Sequence, residues 1–163
     1  MTGPASNALV INALIGRNLR IAVAESLTGG QLVASLVDVA GASVPVVGGV
    51  VAYDTAVKRS VLGVSADLLA ERGAVDPEVA EQMATGVRTA LAVDGEPADV
   101  GIATTGVAGP DPQDGKPVGT VFVGIAIADR VTHVALTLSG TRRDIQQATV
   151  DAALTALLDA LRE

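Results

Sequence analysis

The sequence predicts an α/β fold in which helices flank a largely mixed sheet, and two observations favour this class. Short apolar runs typical of buried strands alternate along the chain with helical segments that begin at capping residues. The 163 residues are 49% hydrophobic but only 1% aromatic, so the core must consist of Ala, Val, Leu and Ile. Such small side chains suit helices packed closely on a sheet, and the length suits a single domain, residues 1–163.

The individual elements follow from apolar periodicity and from turn and capping residues. Helices are predicted at 6–19 (with Asn7 as a cap), from Thr28-Gly29-Gly30 to residue 37, and in a short segment that carries Lys58 and stops at Gly63. Three more are predicted at 66–71, after Asp76-Pro77-Glu78, and after Thr141. Strands are predicted at 21–24, 46–53 and 100–104, followed by a hairpin with strands at 118–128 and 131–138. The hairpin makes the predicted sheet mixed.

Charge and hydropathy exclude several classes of partner. The net charge is −7, from 18 acidic and 11 basic residues, which argues against a protein that grips a nucleic-acid backbone. One small anionic ligand is still compatible, because a helix N-terminus and an arginine can hold a single phosphate. The apolar runs are too short to span a membrane, and the amino terminus does not have the pattern of a signal peptide. We therefore expect a cytoplasmic protein with neither a nucleic-acid nor a membrane partner.

Composition also narrows the chemistry. The chain has no cysteine and one histidine, His133, so a thiol nucleophile, a Cys zinc site and a multi-His metal site are excluded. A Ser-His-Asp triad would depend wholly on His133, which we interpret as an edge residue of the hairpin. Covalent catalysis would then use Ser or Thr activated by a lysine or a tyrosine, without a cofactor.

The segment Ser26-Leu27-Thr28-Gly29-Gly30 lies between a predicted strand and a predicted helix. Hydroxyls and free backbone N–H groups at such a turn can bind phosphate or stabilise an oxyanion, so Ser26, Thr28, Gly29 and Gly30 are candidate substrate-binding residues. The alternative interpretation is an ordinary helix cap and close strand–helix packing.

Ser43, Tyr53 and Lys58 form a second candidate group. A strand that ends at Tyr53 delivers Lys58 one helical turn later, toward the end of the sheet where Ser26 lies, and Ser43 could lie opposite, in the loop that leads into the strand. A lysine acts as a base only when burial or neighbouring donors lower its pKa, and an isolated surface lysine is normally a solvated charge. The spacing leaves open whether Ser26 or Ser43 is the nucleophile.

Two later segments add candidate ligand residues. Thr105-Gly106-Val107-Ala108-Gly109-Pro110 follows a predicted strand, where open α/β sheets usually bind ligands, although a tight turn would look the same. Arg142, at the start of the last helix, suits a phosphate or carboxylate, although surface arginines are common. The polar segment 111–117 between them is expected to be an exposed loop.

Together these strings resemble a known family, the carboxyl-terminal domain of the competence/damage-inducible CinA proteins, which also occurs alone as nicotinamide-nucleotide amidase of the PncC type. The resemblance rests on stretches that span almost the whole chain in the family's order: 24–30, 41–43, 48–58, 62–64, 73–75, 105–110, 116–120, Gly140 and Arg142. It implies a three-layer α/β/α sandwich, the stand-alone form, and self-association into a homo-oligomer.

The resemblance further implies hydrolysis of the carboxamide of nicotinamide mononucleotide to nicotinate mononucleotide and ammonia. By position, Ser43 matches the family's proposed nucleophile, Lys58 its base and Tyr53 the supporting phenol, while Ser26, Thr105 and Arg142 match other site residues. The substrate phosphate is expected at Arg142 and at the N-terminus of the helix ending at residue 37. The alternative function is a non-catalytic nucleotide-binding or interaction module linked to competence or DNA damage, which would have no need for the full Ser43–Tyr53–Lys58 set.

Overall fold

A computed structural model describes residues 5–163, which form one five-stranded sheet with helices on both faces. The predicted elements are all present in this part of the chain. Their bounds, in chain order, are α1 Ser6–Gly16, β1 Ile21–Glu25, α2 Gln31–Val37, β2 Val46–Val51, α3 Thr55–Ser60, α4 Ala66–Arg72, α5 Pro77–Ala90, β3 Val100–Gly106, β4 Thr120–Ile127, β5 Arg130–Thr137 and α6 Arg142–Arg162.

The strands lie in the order β2-β1-β3-β4-β5. β1 pairs in parallel with both β2 and β3, whereas β3, β4 and β5 pair antiparallel, so the sheet is mixed as predicted. The carboxyl ends of β1, β2 and β3 therefore meet at one edge of the sheet. In open α/β sheets this edge is the usual place for a ligand site.

Two hydrophobic clusters cover the two faces and complete the predicted three layers. On one face, α1, α2 and α6 pack against β1 and β3 through residues such as Leu14, Leu36 and Leu157. On the other, α5 packs with the segment that follows α3, through Leu62, Met83 and Val87. Most strand residues of β1 and β3 are buried on both faces, which explains why they read as continuous apolar runs rather than as alternating patterns.

The caps explain where most of the helices begin. Asp76 accepts from Glu78 N, and Thr141 forms a reciprocal capping box with Asp144, so both predicted starts are confirmed. The prediction for Asn7 is wrong: Ala5 is the N-cap of α1, and the Asn7 amide instead donates to the carbonyl of Ser35, which joins α1 to α2. No helix within residues 5–163 is long and apolar enough to cross a membrane.

Glycine permits α5 to approach the sheet closely. A Cβ at Gly124 would lie 2.1 Å from the Ala80 carbonyl oxygen, and one at Gly101 would lie 1.9 Å from that of Ala84. Because the obstacle is helix backbone, we expect Gly124→Ala to lower the free energy of unfolding by at least about 2 kcal/mol, as overpacked cores do. Denaturant unfolding measures this loss. The control is Gly16→Ala, where a Cβ meets nothing within 4 Å, so equal effects of the two substitutions would contradict the packing explanation.

Candidate active site

A cavity of about 430 Å³ lies at the edge of the sheet where β1, β2 and β3 end. Its wall is made by the segments that follow these three strands, by Ala74 and Val75 ahead of α5, and by the first residue of α6. The volume lies in the range of about 300–1,000 Å³ that is usual for small-molecule sites. The cavity lining includes four of the predicted site residues beside Tyr53: Ser26, Thr105, Gly106 and Arg142.

Lys58 is the most unusual residue at this edge, because its side chain is only 1% exposed. Its Nζ lies 2.9 Å from Ser26 Oγ, 2.7 Å from the carbonyl oxygen of Ala52 and 3.2 Å from that of Tyr53. Within residues 5–163, no carboxylate forms a salt bridge with it. A buried ammonium without a counter-ion is costly, so the site favours the neutral amine.

Burial lowers the pKa of Lys58 from 10.5 to about 8, although the Asp54 carboxylate opposes this change. Asp54 is itself held by a short-range contact, since its Oδ1 accepts from Ala56 N at 2.8 Å and caps α3. A pKa close to the working pH is the property that a general base needs.

The three contacts also orient the neutral amine. The carbonyl oxygens of Ala52 and Tyr53 can only accept hydrogen bonds, so the two N–H bonds of a neutral Lys58 point to them. The lone pair is then left for the third partner, the hydroxyl of Ser26. This geometry suits the transfer of a proton from Ser26 to Lys58.

The structure corrects the expected position of Ser43. This residue is exposed and lies in the loop that leads into β2, at the end of the sheet where β1 and β2 begin. Ser26 follows the opposite end of β1, and the five residues of that strand separate the two loops by roughly 13 Å. Because β1 and β2 are parallel, the loop before one strand cannot meet the loop after the other. Ser26, and not Ser43, is the hydroxyl beside Lys58.

The turn after β1 fixes the position of Ser26. Thr28 is fully buried and its Oγ1 lies 2.8 Å from Thr104 Oγ1, while Ser26 N donates to the same Thr104 oxygen at 3.4 Å. Gly29 and Gly30 have φ values of 58° and 101°, in the left-handed region that glycine adopts without strain. Direct contact of Thr28, Gly29 and Gly30 with substrate stays a prediction, and within the described chain these residues lie outside the cavity lining. They position Ser26.

The start of α2 is not free to bind a phosphate, which corrects a second expectation. The buried carboxylate of Glu25 accepts from Leu32 N at 2.8 Å and from Val33 N at 3.0 Å, so it occupies the positive end of this short helix. Sequence reasoning missed this role. The sequence signal for this role is Glu25 itself, an acidic residue at the end of an apolar strand. A buried carboxylate requires hydrogen-bond donors, and the N-terminus of the next helix supplies them.

Tyr53 and Arg142 meet at the mouth of the cavity. Arg142 donates to the phenol oxygen of Tyr53 at 3.0 Å and to the carbonyl oxygen of Gly109 at 2.7 Å. The phenol therefore pairs with the arginine, and it is the backbone carbonyl of Tyr53 that contacts Lys58. The predicted residues are together, but the phenol that the resemblance gives as the support of Lys58 contacts Arg142 instead.

Thr105 and Gly106 end β3 on the opposite wall. The buried hydroxyl of Thr105 donates to the carbonyl oxygen of Ala74 at 2.7 Å, which fixes the segment that carries Ala74 and Val75 into the cavity lining. These two apolar residues and Thr104 were not among the predicted site residues. The apolar side chains of Ala74 and Val75 do not suggest a ligand, and only the folded chain brings these three residues to this edge.

Comparison with known proteins agrees with this architecture. A family model described as the CinA C-terminal domain matches residues 5–161. The chain belongs to this family. A CinA-like protein from Frankia casuarinae is 47% identical over 146 residues, which cover 90% of this chain and 33% of that protein. The chain thus spans about a third of the length of the curated relatives that it matches.

Solved structures of the CinA superfamily have the same fold. A superfamily protein from Klebsiella pneumoniae superposes with a TM-score of 0.90 at 34% identity, and the match covers 96% of both chains. The competence/damage inducible protein CihA from Agrobacterium tumefaciens gives a TM-score of 0.85 at 32% identity over 100% of this chain and 99% of that one. The α/β/α sandwich with a mixed five-stranded sheet is therefore the CinA C-terminal fold.

Proposed function

We propose that this CinA domain is an amide hydrolase in which Ser26 is the nucleophile and Lys58 the general base. The observation that carries the proposal is the 2.9 Å contact between Ser26 Oγ and a buried lysine whose other two contacts are carbonyl oxygens. A structural lysine is usually exposed or paired with a carboxylate. A lysine whose lone pair faces a hydroxyl beside a cavity has the arrangement of an activated nucleophile.

The reaction has two stages. Neutral Lys58 takes the proton of Ser26 as Oγ bonds to the carboxamide carbon, and the carbonyl becomes an oxyanion. Lys58 then gives the proton to the amide nitrogen, the C–N bond breaks, and ammonia leaves an ester on Ser26. A water molecule then attacks the ester while Lys58 accepts one of its protons. Lys58 returns this proton to Ser26 Oγ as the ester C–O bond breaks, and the carboxylic acid that is released loses its own proton to solvent and becomes the carboxylate product. Lys58 acts alternately as base and acid.

The residue after Ser26 offers a donor for the oxyanion. Ser26 N already donates to Thr104, whereas the N–H of Leu27 has no acceptor among residues 5–163, and Leu27 lines the cavity. The backbone N–H of the residue after the nucleophile serves this purpose in hydrolases whose serine lies on a strand-to-helix turn. Such a donor typically contributes about 3–4 kcal/mol to transition-state stabilisation.

The substrate proposed from the family resemblance is nicotinamide mononucleotide, within pyridine-nucleotide recycling. Arg142, at the mouth of the cavity, is the candidate for its phosphate, and it can exchange its contact with the Tyr53 phenol for the anion. Asp54 and Asp111 also line the cavity and suit the cationic pyridinium ring. A homo-oligomer and a cytoplasmic location complete the proposal.

Ammonia release tests the function directly. The purified chain is incubated with nicotinamide mononucleotide in buffer containing a metal chelator, and ammonia and nicotinate mononucleotide are quantified. Equal amounts of both products are expected, with much slower release from free nicotinamide, which lacks the phosphate. Tight binding of the nucleotide without ammonia release would instead favour the non-catalytic binding module.

A further inference from the structure

The loop of residues 111–117, here called the strap, lies between β3 and β4 and has a structure of its own. Gln113 and Lys116 exchange two backbone hydrogen bonds, of 3.1 and 2.8 Å, around Asp114 and Gly115. Both central residues have positive φ, 49° and 73°, as in the tight turns of β-hairpins. The strap is therefore an ordered element, and its residues Asp111 and Gln113 line the cavity.

The strap is hydrogen-bonded to residues 72–75, which lie ahead of α5. Lys116 Nζ donates to the carbonyl oxygen of Val75 at 2.7 Å and to that of Arg72 at 3.3 Å. Asp114 Oδ2 accepts from Ala74 N at 3.4 Å. A charged group therefore joins two segments that lie about forty residues apart in sequence and that both line the cavity.

These contacts satisfy backbone groups that have no hydrogen-bond partner in the local secondary structure. Arg72 is the last residue of α4, where carbonyl groups lack intrahelical partners and a cation is favourable. Gly73 permits the approach, because a Cβ there would lie 2.6 Å from Asp114 Oδ2. Thr105 holds Ala74 from the other side, at 2.7 Å, so the wall is fixed by β3 and by the strap together.

We propose that Lys116 is a positioning residue that holds the strap against residues 72–75 and so sets the width of the cavity in which the substrate binds. The expected change in KM rests on the proposed amide hydrolysis. The hydrogen bonds that Lys116 makes do not depend on that reaction. Lys116 does not touch Ser26 or Lys58. Its loss should therefore weaken substrate binding and leave the chemical step intact.

The kinetic test compares Lys116→Met with Lys116→Arg and with the exposed control Arg17→Met. For nicotinamide mononucleotide we expect Lys116→Met to raise KM about tenfold while kcat stays within threefold of wild type. Lys116→Arg keeps a cation that can donate to two carbonyls and should recover most of the loss, and Arg17→Met should change nothing. An unchanged KM in Lys116→Met, or a fall confined to kcat, would overturn the proposal.

Hydrogen exchange gives a readout that does not need turnover. In Lys116→Met the amides of Ala74 and Lys116 should exchange at least tenfold faster than in wild type, while the amides of β1 keep their rates. If wild type releases no ammonia, the proposed function fails, but faster exchange at Ala74 would still support the fastening. Unchanged exchange at Ala74 would reject it whether or not the enzyme is active.

Discussion

Ser26→Ala should lower kcat/KM for ammonia release from nicotinamide mononucleotide by at least about 10³-fold, because removal of a nucleophile eliminates the covalent route. The side chain is only 7% exposed and reaches Lys58, so the substitution removes a small group without opening the fold. Steady-state assays of ammonia release at fixed pH measure the loss. Unfolding experiments on the same variant check that the protein remains folded.

Ser43→Ala is the matched control, since it removes the same hydroxyl from the serine that the family resemblance favours. Ser43 is exposed at the far end of β1, so we expect kcat/KM within about twofold of wild type. Loss of activity in Ser43→Ala with normal activity in Ser26→Ala would restore the assignment drawn from the resemblance. That result would also require a different arrangement of this loop from the one described.

The fold was predictable because its signals are local. Apolar runs, the Asp76-Pro77-Glu78 start and the Thr141 cap each depend on neighbouring residues, and all reappear in the structure. The small differences are at element ends: β2 ends at Val51, two residues before the predicted end. Element ends depend on contacts that periodicity does not encode.

The site was only partly predictable because its decisive contacts are not local. Lys58 and Ser26 are 32 residues apart, and Lys116 and Val75 are 41 apart. The sequence indicated a reactive lysine and two candidate serines, and the strand direction determines which serine lies beside Lys58. That choice requires knowing that β1 and β2 are parallel, which places the loop before β2 and the loop after β1 at opposite ends of the sheet.

The role of Tyr53 shows a second limit. A tyrosine five residues before a lysine suggests that the phenol assists the amine, but the side chain turns to Arg142 and the backbone carbonyl contacts Lys58. Sequence patterns specify side-chain chemistry, whereas this contact is made by a peptide group that any residue could supply. The same is true of Ala52, whose carbonyl makes the shortest contact with Lys58.

Lys58→Met should abolish turnover as severely as Ser26→Ala, because the two groups act as one unit. In wild type, the fraction of neutral Lys58 sets the rate, so kcat/KM should rise with pH and level off above a pKa of about 8. Assays from pH 6 to 10 check this profile, with a substrate whose carboxamide does not change its protonation state in that range. A flat profile across pH 7–9 would remove Lys58 as the base.

Stability should depend on pH through the same residue. Below pH 8 the folded and unfolded states both carry the Lys58 proton, and the folded state bears the full cost of a buried charge. Between pH 8 and 10.5 the folded state releases the proton while the unfolded state retains it, so the free energy of unfolding rises with pH. The shift from 10.5 to about 8 corresponds to a gain of about 3 kcal/mol across this window.

The difference between wild type and Lys58→Met isolates this gain, because other groups titrate equally in both proteins. Denaturant unfolding at pH 7 and pH 10 should show wild type becoming more stable relative to Lys58→Met as pH rises. A constant difference would mean that Lys58 keeps an ordinary pKa of about 10.5 in the folded chain, so the neutral amine would become common only above that pH and not from about pH 8. A charged amine cannot accept the Ser26 proton, so this measurement bears on the mechanism without any substrate.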